Sequence, residues 1–175
     1  MGSTLIVDEI QGASTAANVK LPAGCVVQTV NADTNTYTVL GTTTTFTTIG
    51  LEATITPKYN NSKIIITTSI NTNAGGPNDS AGGGGGIRVV KKIGSGSFAS
   101  FQEWGNDSTG PYNLYGTDGH FRSFVSLQLV DTASSLSALT YRIEGRAYQS
   151  GNRFTFHETQ NAVGSQLSTM MLTEI

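Results

Sequence analysis

The chain has 175 residues, a formal charge of −2, 13% charged residues, 21 glycines and 4 prolines. That length fits one domain able to bury roughly two-thirds of its unfolded surface, and the charge balance provides neither a basic field for nucleic acid nor an acidic tail. A single cysteine, Cys25, excludes an intrachain disulfide.

Residues 1–24 read as an extended arm. Met1 to Ala23 has an apolar patch at Leu5, Ile6 and Val7, followed by Ile10 and a stretch of small residues up to Leu21-Pro22. The segment is too apolar for a disordered tail and too thin for a core of its own. It is expected to lie against another chain through Leu5, Ile6, Val7 and Ile10. It lacks the basic start and uninterrupted apolar run of a signal peptide, and no stretch of the chain approaches the ~20 apolar residues of a membrane span. Synthesis in a cytoplasm, without membrane insertion, is expected.

From Cys25 onward, runs with a period of two recur between turn residues, in a sequence rich in Thr, Ser, Asn and Gly. This is the pattern of half-buried antiparallel sheet. Strands are expected near 25–30, 36–47, 52–57, 63–72, 86–93, 122–131, 138–149, 153–157 and 166–175. Cys25, in the apolar run Cys-Val-Val, is expected to be a small core residue.

The segment from Asn73 to Gly86 ends in five consecutive glycines and reads as a surface loop. Residues Ile93 to Ala99 (IGSGSFA) resemble the glycine-rich loop of kinases. However, Ala99 replaces the third glycine and no HRD or DFG element follows, so the glycines are expected to mark a hairpin turn. A second loop, Glu103 to His120, carries Trp104, Tyr112 and Tyr115.

In the later strands, Val125, Leu127 and Leu129 alternate with Phe124, Ser126 and Gln128. Leu139, Tyr141 and Ile143 alternate with Thr140, Arg142 and Glu144, giving one apolar face and one charged face. The ending QLSTMMLTEI is apolar on both faces, with Leu167, Met171 and Ile175 on one and Met170 and Leu172 on the other. No helix-period pattern interrupts the series. The expected fold is an all-β antiparallel sandwich of jelly-roll type spanning 25–175.

Catalytic and metal patterns are thin. His120 and His157 have no cysteine pair or HExxH spacing beside them, no GxSxG elbow occurs, and Asp107 and Asp118 are the only loosely grouped carboxylates for glycoside chemistry. No enzyme activity, cofactor or metal is expected. Trp104, Tyr112 and Tyr115, with Asn106, Asp107, Asn113 and Asp118 nearby, pair flat apolar faces with hydrogen-bonding groups suited to sugars. The competing reading, and the favoured one, is that these aromatics cover one end of the sandwich or pack on a neighbouring subunit.

Three stretches carry a resemblance: STLIVDEIQGASTAANVKLPAGCVVQTV at the start, Ile55 to Ile66 (ITPKYNNSKIII) in the middle, and Met171-Leu172-Thr173-Glu174-Ile175 at the end. Together they are similar to small structural proteins of marine tailed phages, particularly cyanophages. The resemblance implies a fibre-like virion component whose sandwich is similar to the trimeric heads of the tumour-necrosis-factor and C1q class. A trimer would use the second apolar face of the last strand, so Phe124, Tyr148, Met170 and Leu172 are the expected subunit contacts, and the arm would dock the head on tail or capsid proteins. The expected partners are thus other copies of the chain and other virion proteins. Capsid decoration and binding of a host surface glycan through Trp104, Tyr112 and Tyr115 are the alternatives.

Overall fold

The computed structural model describes residues 24–40, 44–75, 83–104, 114–116, 121–148, 153–157 and 166–175. All of the expected arm but its last residue lies outside the described residues. The described chain forms β1 (Gln28–Thr34), β2 (Thr38–Val39), β3 (Thr47–Ile55), β4 (Lys63–Gly75), β5 (Gly83–Ile93), β6 (Ala99–Trp104), β7 (Leu114–Gly116), β8 (Phe121–Thr132), β9 (Leu139–Ala147), β10 (Arg153–Phe156) and β11 (Ser168–Glu174).

These strands build an all-β antiparallel sandwich. In the first sheet, β4 pairs with β8 along one edge, while its other edge pairs first with β11 and then with β10. Strands β1 and β2 close that side on β11 and β10 respectively. The second sheet runs β3-β9-β5-β6, with β7 continuing along the same edge of β5 as β6. The long strands therefore stack as β1-β11-β4-β8 over β3-β9-β5-β6, an order in which the chain crosses repeatedly between the sheets, as in a jelly roll.

Alternation decides which side chains enter the core. Ile49, Leu51, Ala53 and Ile55 of β3, Ile64, Ile66 and Ile70 of β4, Ile87 and Val89 of β5, and Leu139, Tyr141 and Ile143 of β9 are all buried between the sheets. Val125, Leu127 and Leu129 of β8 pack against this core from the edge, as their spacing predicts. The β5–β6 pair bears a register shift between Val89 and Val90, and β3 another between Thr48 and Glu52. Gly50 sits there at φ +83°, a conformation that suits glycine, and its N–H donates to Thr48 Oγ1 at 3.1 Å.

The glycine run departs from expectation. Gly83 to Gly86 belong to β5, in register with β7 and β9, rather than to a surface loop. The physical reason is aromatic packing from the opposite sheet. A Cβ on Gly85 would lie 2.2 Å from Phe154 Cδ1, and one on Gly145 would lie 2.8 Å from Phe156 Cζ. Phe154 and Phe156 meet edge to face at 4.8 Å and fill the space the two glycines leave. The glycines near Ile93 do form the expected turn, with Gly96 N–H donating to Ile93 O at 3.0 Å between β5 and β6. Cys25 is only half-buried ahead of β1, outside the core.

Candidate interaction surface

The two sheets present very different faces to solvent. On the second sheet, Glu144 is buried and clamped by two guanidinium groups: Arg88 donates from Nε at 2.9 Å and from Nη2 at 2.7 Å, and Arg142 donates from Nη2 at 2.7 Å. Arg142 also lies 3.8 Å from Glu52. Arg142 stacks over Phe98 at 3.7 Å and Arg88 over Phe46 at 4.4 Å. Both guanidinium groups thus pair with carboxylate and stack on a ring within the chain, although Arg142 Nε is buried with no hydrogen-bond partner.

The first sheet is the opposite case. Reading from β1 to β8, residues in register on its outer face are Asp33-Thr169-Ser69-Ser126, Asn31-Met171-Thr67-Gln128 and Thr29-Thr173-Ile65-Val130. Phe124, opposite Asn71, begins the next row. The charged residues of this face are Asp33 on β1, Lys63 at the start of β4 and Arg122 on β8. Phe124 is 61% exposed, Val130 60% and Met171 41%. Ser69, Ser126 and Thr169, together with Leu167 and Met171, line a trough of about 470 Å³. Hydroxyl-rich strands satisfy the backbone through sheet pairing and leave a flat, nearly neutral surface, which is suited to burial against another protein.

The residues expected from the sequence fall unevenly on this architecture. Phe124 lies on the neutral face. Met170 and Leu172 do not: they are 1% and 0% exposed, in the core, because they share a face of β11 with the residues that point at the second sheet. They are therefore not a surface that a second copy can touch, and the outward members of β11 are Thr169, Met171 and Thr173. Tyr148 is half-buried at the end of β9 in the other sheet, held by its N–H donating to Gly84 O at 2.8 Å, so it shares no surface with Phe124.

Trp104 ends β6 in register with Ile87, and Tyr115 in β7 stands opposite Gly84, so both backbones line one edge of β5. Tyr112, Asp107, Asp118, His120 and the docking residues Leu5, Ile6, Val7 and Ile10 lie outside the described residues. The sequence reading missed Met171, Val130 and Ile65 as surface residues, although the alternation of β11, β8 and β4 carried that signal. It also missed Phe46, inside the expected 36–47 run, and Phe98, in the glycine-containing turn.

Two polar clusters hold the first sheet in place. Glu174, fully buried, accepts hydrogen bonds from Lys58 N–H at 2.8 Å, Tyr59 N–H at 3.2 Å and Gln28 Nε2 at 2.6 Å. Burial pushes its carboxyl pKa up, but the hydrogen bonds from Gln28, Ser62, Lys58 and Tyr59 outweigh this and hold it below the ordinary 4.5. His157, buried at φ +58°, donates from Nδ1 to Thr36 O at 2.8 Å and meets Ser168 Oγ at 2.6 Å through Nε2. Ser168 Oγ also accepts Asn71 N–H at 2.9 Å. Burial lowers the His157 pKa below 6.5, which the bond to Thr36 only partly opposes, so the imidazole is neutral and Ser168 donates to Nε2.

A third cluster joins the two sheets at their open edge. Asp131 of β8 pairs with the Lys91 ammonium of β5 and accepts the Tyr141 hydroxyl of β9 at 2.5 Å. Among the described residues, no group of three or more His, Cys, Asp or Glu side chains is placed to hold a metal ion.

The fold and its surfaces define an all-β sandwich protein with one ion-paired outer face and one nearly neutral outer face. No family model matches the chain, and no curated protein matches it.

Proposed function

We propose that this chain is a non-enzymatic structural protein of a tailed-phage virion: a homotrimeric, fibre-like head that its N-terminal arm anchors to the particle. The observation that carries the reading is the contrast between the two outer faces. An outer sheet face that bears Phe124, Val130, Ile65 and Met171 with Asp33, Lys63 and Arg122 as its charged members suits a subunit contact, whereas the ion-paired face suits solvent. The strand order supports the kind of jelly roll that the phage resemblance implies. The apolar patch Leu5, Ile6 and Val7, close to the start of the chain, supports docking at a site separate from the head.

One described residue of the first stretch, two of the second and one of the third meet in space. Gln28 comes from the first, Lys58 and Tyr59 from the second and Glu174 from the third, and they converge on one carboxylate.

The test is recovery on particles. Purified virions from a lysate in which the gene is expressed are expected to contain the chain, and a variant with Leu5, Ile6 and Val7 all changed to Ser is expected to stay folded in the unassembled fraction. Recovery of the native chain only in that fraction, or full occupancy by the variant, would overturn the reading.

A further inference from the structure

We infer that Lys91 and Asp131 condense into an isopeptide bond that ties the two sheets together covalently. The site is the cluster at the open edge of the sandwich, and the inference holds whether or not the chain assembles with other copies. The Lys91 ammonium of β5 touches Oδ2 of Asp131 on β8, and the two side chains are only 16% and 11% exposed. The strands belong to different sheets, so a bond here crosses the sandwich.

Both oxygens of the carboxyl group have a partner suited to amide formation. The Tyr141 hydroxyl donates to Oδ2 at 2.5 Å, the same oxygen that faces the amine. The Thr132 N–H donates to the other oxygen, Oδ1, at 2.8 Å. Tyr141 is fully buried, and its phenol is held above its ordinary 10.0, chiefly by burial, so it keeps its proton at neutral pH. Phe101 flanks the cluster: its ring meets Tyr141 edge to face at 6.0 Å, and Lys91 Nζ lies 5.9 Å from its centre.

The step balances without a co-reactant. Within the pair, a proton passes from the ammonium to Oδ2, which removes two charges from a site largely withdrawn from water. The neutral amine then attacks Cγ, one bond beyond the oxygen it already touches. Negative charge develops on Oδ1, where the Thr132 N–H is already placed to donate. A second proton moves from the nitrogen to Oδ2, relayed by the Tyr141 hydroxyl. The Cγ–Oδ2 bond breaks, Oδ2 leaves as water, and Oδ1 returns to a carbonyl. Holding amine and carboxyl in contact supplies the effective concentration that the free groups lack in water.

Intact mass under denaturing conditions tests this on the full-length chain. The native chain is expected to weigh one water less than its sequence, and proteolysis is expected to yield a branched peptide joining Lys91 to Asp131. Lys91→Arg keeps the charge and the ion pair, and is expected to show its full sequence mass. Tyr141→Phe keeps the ring against Phe101 and is expected to form the bond roughly tenfold or more slowly, read from the mass at intervals after cell-free synthesis.

A native chain at its full sequence mass would overturn the bond. A water loss that persists in Lys91→Arg would also overturn it, since that marks cyclisation of Asp131 on its own backbone. Bond formation at the native rate in Tyr141→Phe would overturn the proton relay.

Discussion

The Glu174 carboxylate, at the end of the last strand, accepts the backbone N–H groups of both Lys58 and Tyr59 through Oε1, at 2.8 and 3.2 Å. The link pins the crossing between the sheets, from β3 to β4, onto the C-terminal strand. The neighbouring Ile175 continues the same edge, exchanging backbone hydrogen bonds with Lys63 at 2.9 and 3.0 Å. A charged acceptor buried among several donors is costly to neutralise.

Glu174→Gln is therefore expected to destabilise the head by about 1–3 kcal/mol at neutral pH. The folded carboxyl titrates below its ordinary 4.5, so its contribution is fully present above that value. It is lost as pH falls from there through the folded pKa. Urea midpoints measured across this window should fall for the native chain and change less for the variant.

His157 gives a second acid-sensitive element in a different window. Its folded pKa lies below 6.5, chiefly through burial. Neutral His157 therefore contributes stability that is present above 6.5 and declines as pH falls through the folded value. Ser168→Ala leaves Asn71 N–H and His157 Nε2 without their bonds to the hydroxyl and is expected to cost about 1–3 kcal/mol. A denaturation midpoint unchanged by Ser168→Ala would show that the network contributes nothing.

The glycines of β5 and β9 are matched to phenylalanines across the core. Gly145→Ala is expected to destabilise the head by about 1–3 kcal/mol, since its Cβ meets the Phe156 ring and Leu40 at 2.8–2.9 Å. Adding Phe156→Leu should recover part of the loss, giving a non-additive double-mutant cycle; simple additivity would contradict the packing account.

Asp131 links β8 to Lys91 and Tyr141 across the open edge of the sandwich. Burial, followed by the hydrogen bond and charge of Asp131, raises the Tyr141 phenol above its ordinary 10.0. On alkaline titration followed by absorbance, one phenol of the 6 tyrosines is expected to ionise only as the chain unfolds. Asp131→Ala should shorten that lag, leaving the larger part that burial sets, and cost about 3–5 kcal/mol by leaving the ammonium and the hydroxyl without their partner.

Much of the fold was legible because alternation reports burial directly. The runs at 63–72, 122–131 and 138–149 correspond to β4, β8 and β9, and Val125, Leu127 and Leu129 of β8 and Leu139, Tyr141 and Ile143 of β9 face the core as read. The five-glycine run was not legible, because glycine carries no side chain to report its face, and only the approach of Phe154 from a distant strand explains it. Strands β6 and β7 lay within stretches of weak alternation. β11 misled for another reason: both of its faces are apolar, and local pattern alone cannot say which one the second sheet covers. The core took Met170 and Leu172, leaving Met171 for the surface.

The central claim is that the head associates as a trimer through the neutral face of its first sheet. Light scattering on the purified full-length chain tests it most directly. The expected mass is three times the 18.3 kDa of one chain, falling to a single chain when Phe124 and Val130 are both changed to Ser. A native chain with the mass of a monomer, or a variant that stays fully trimeric, would contradict it.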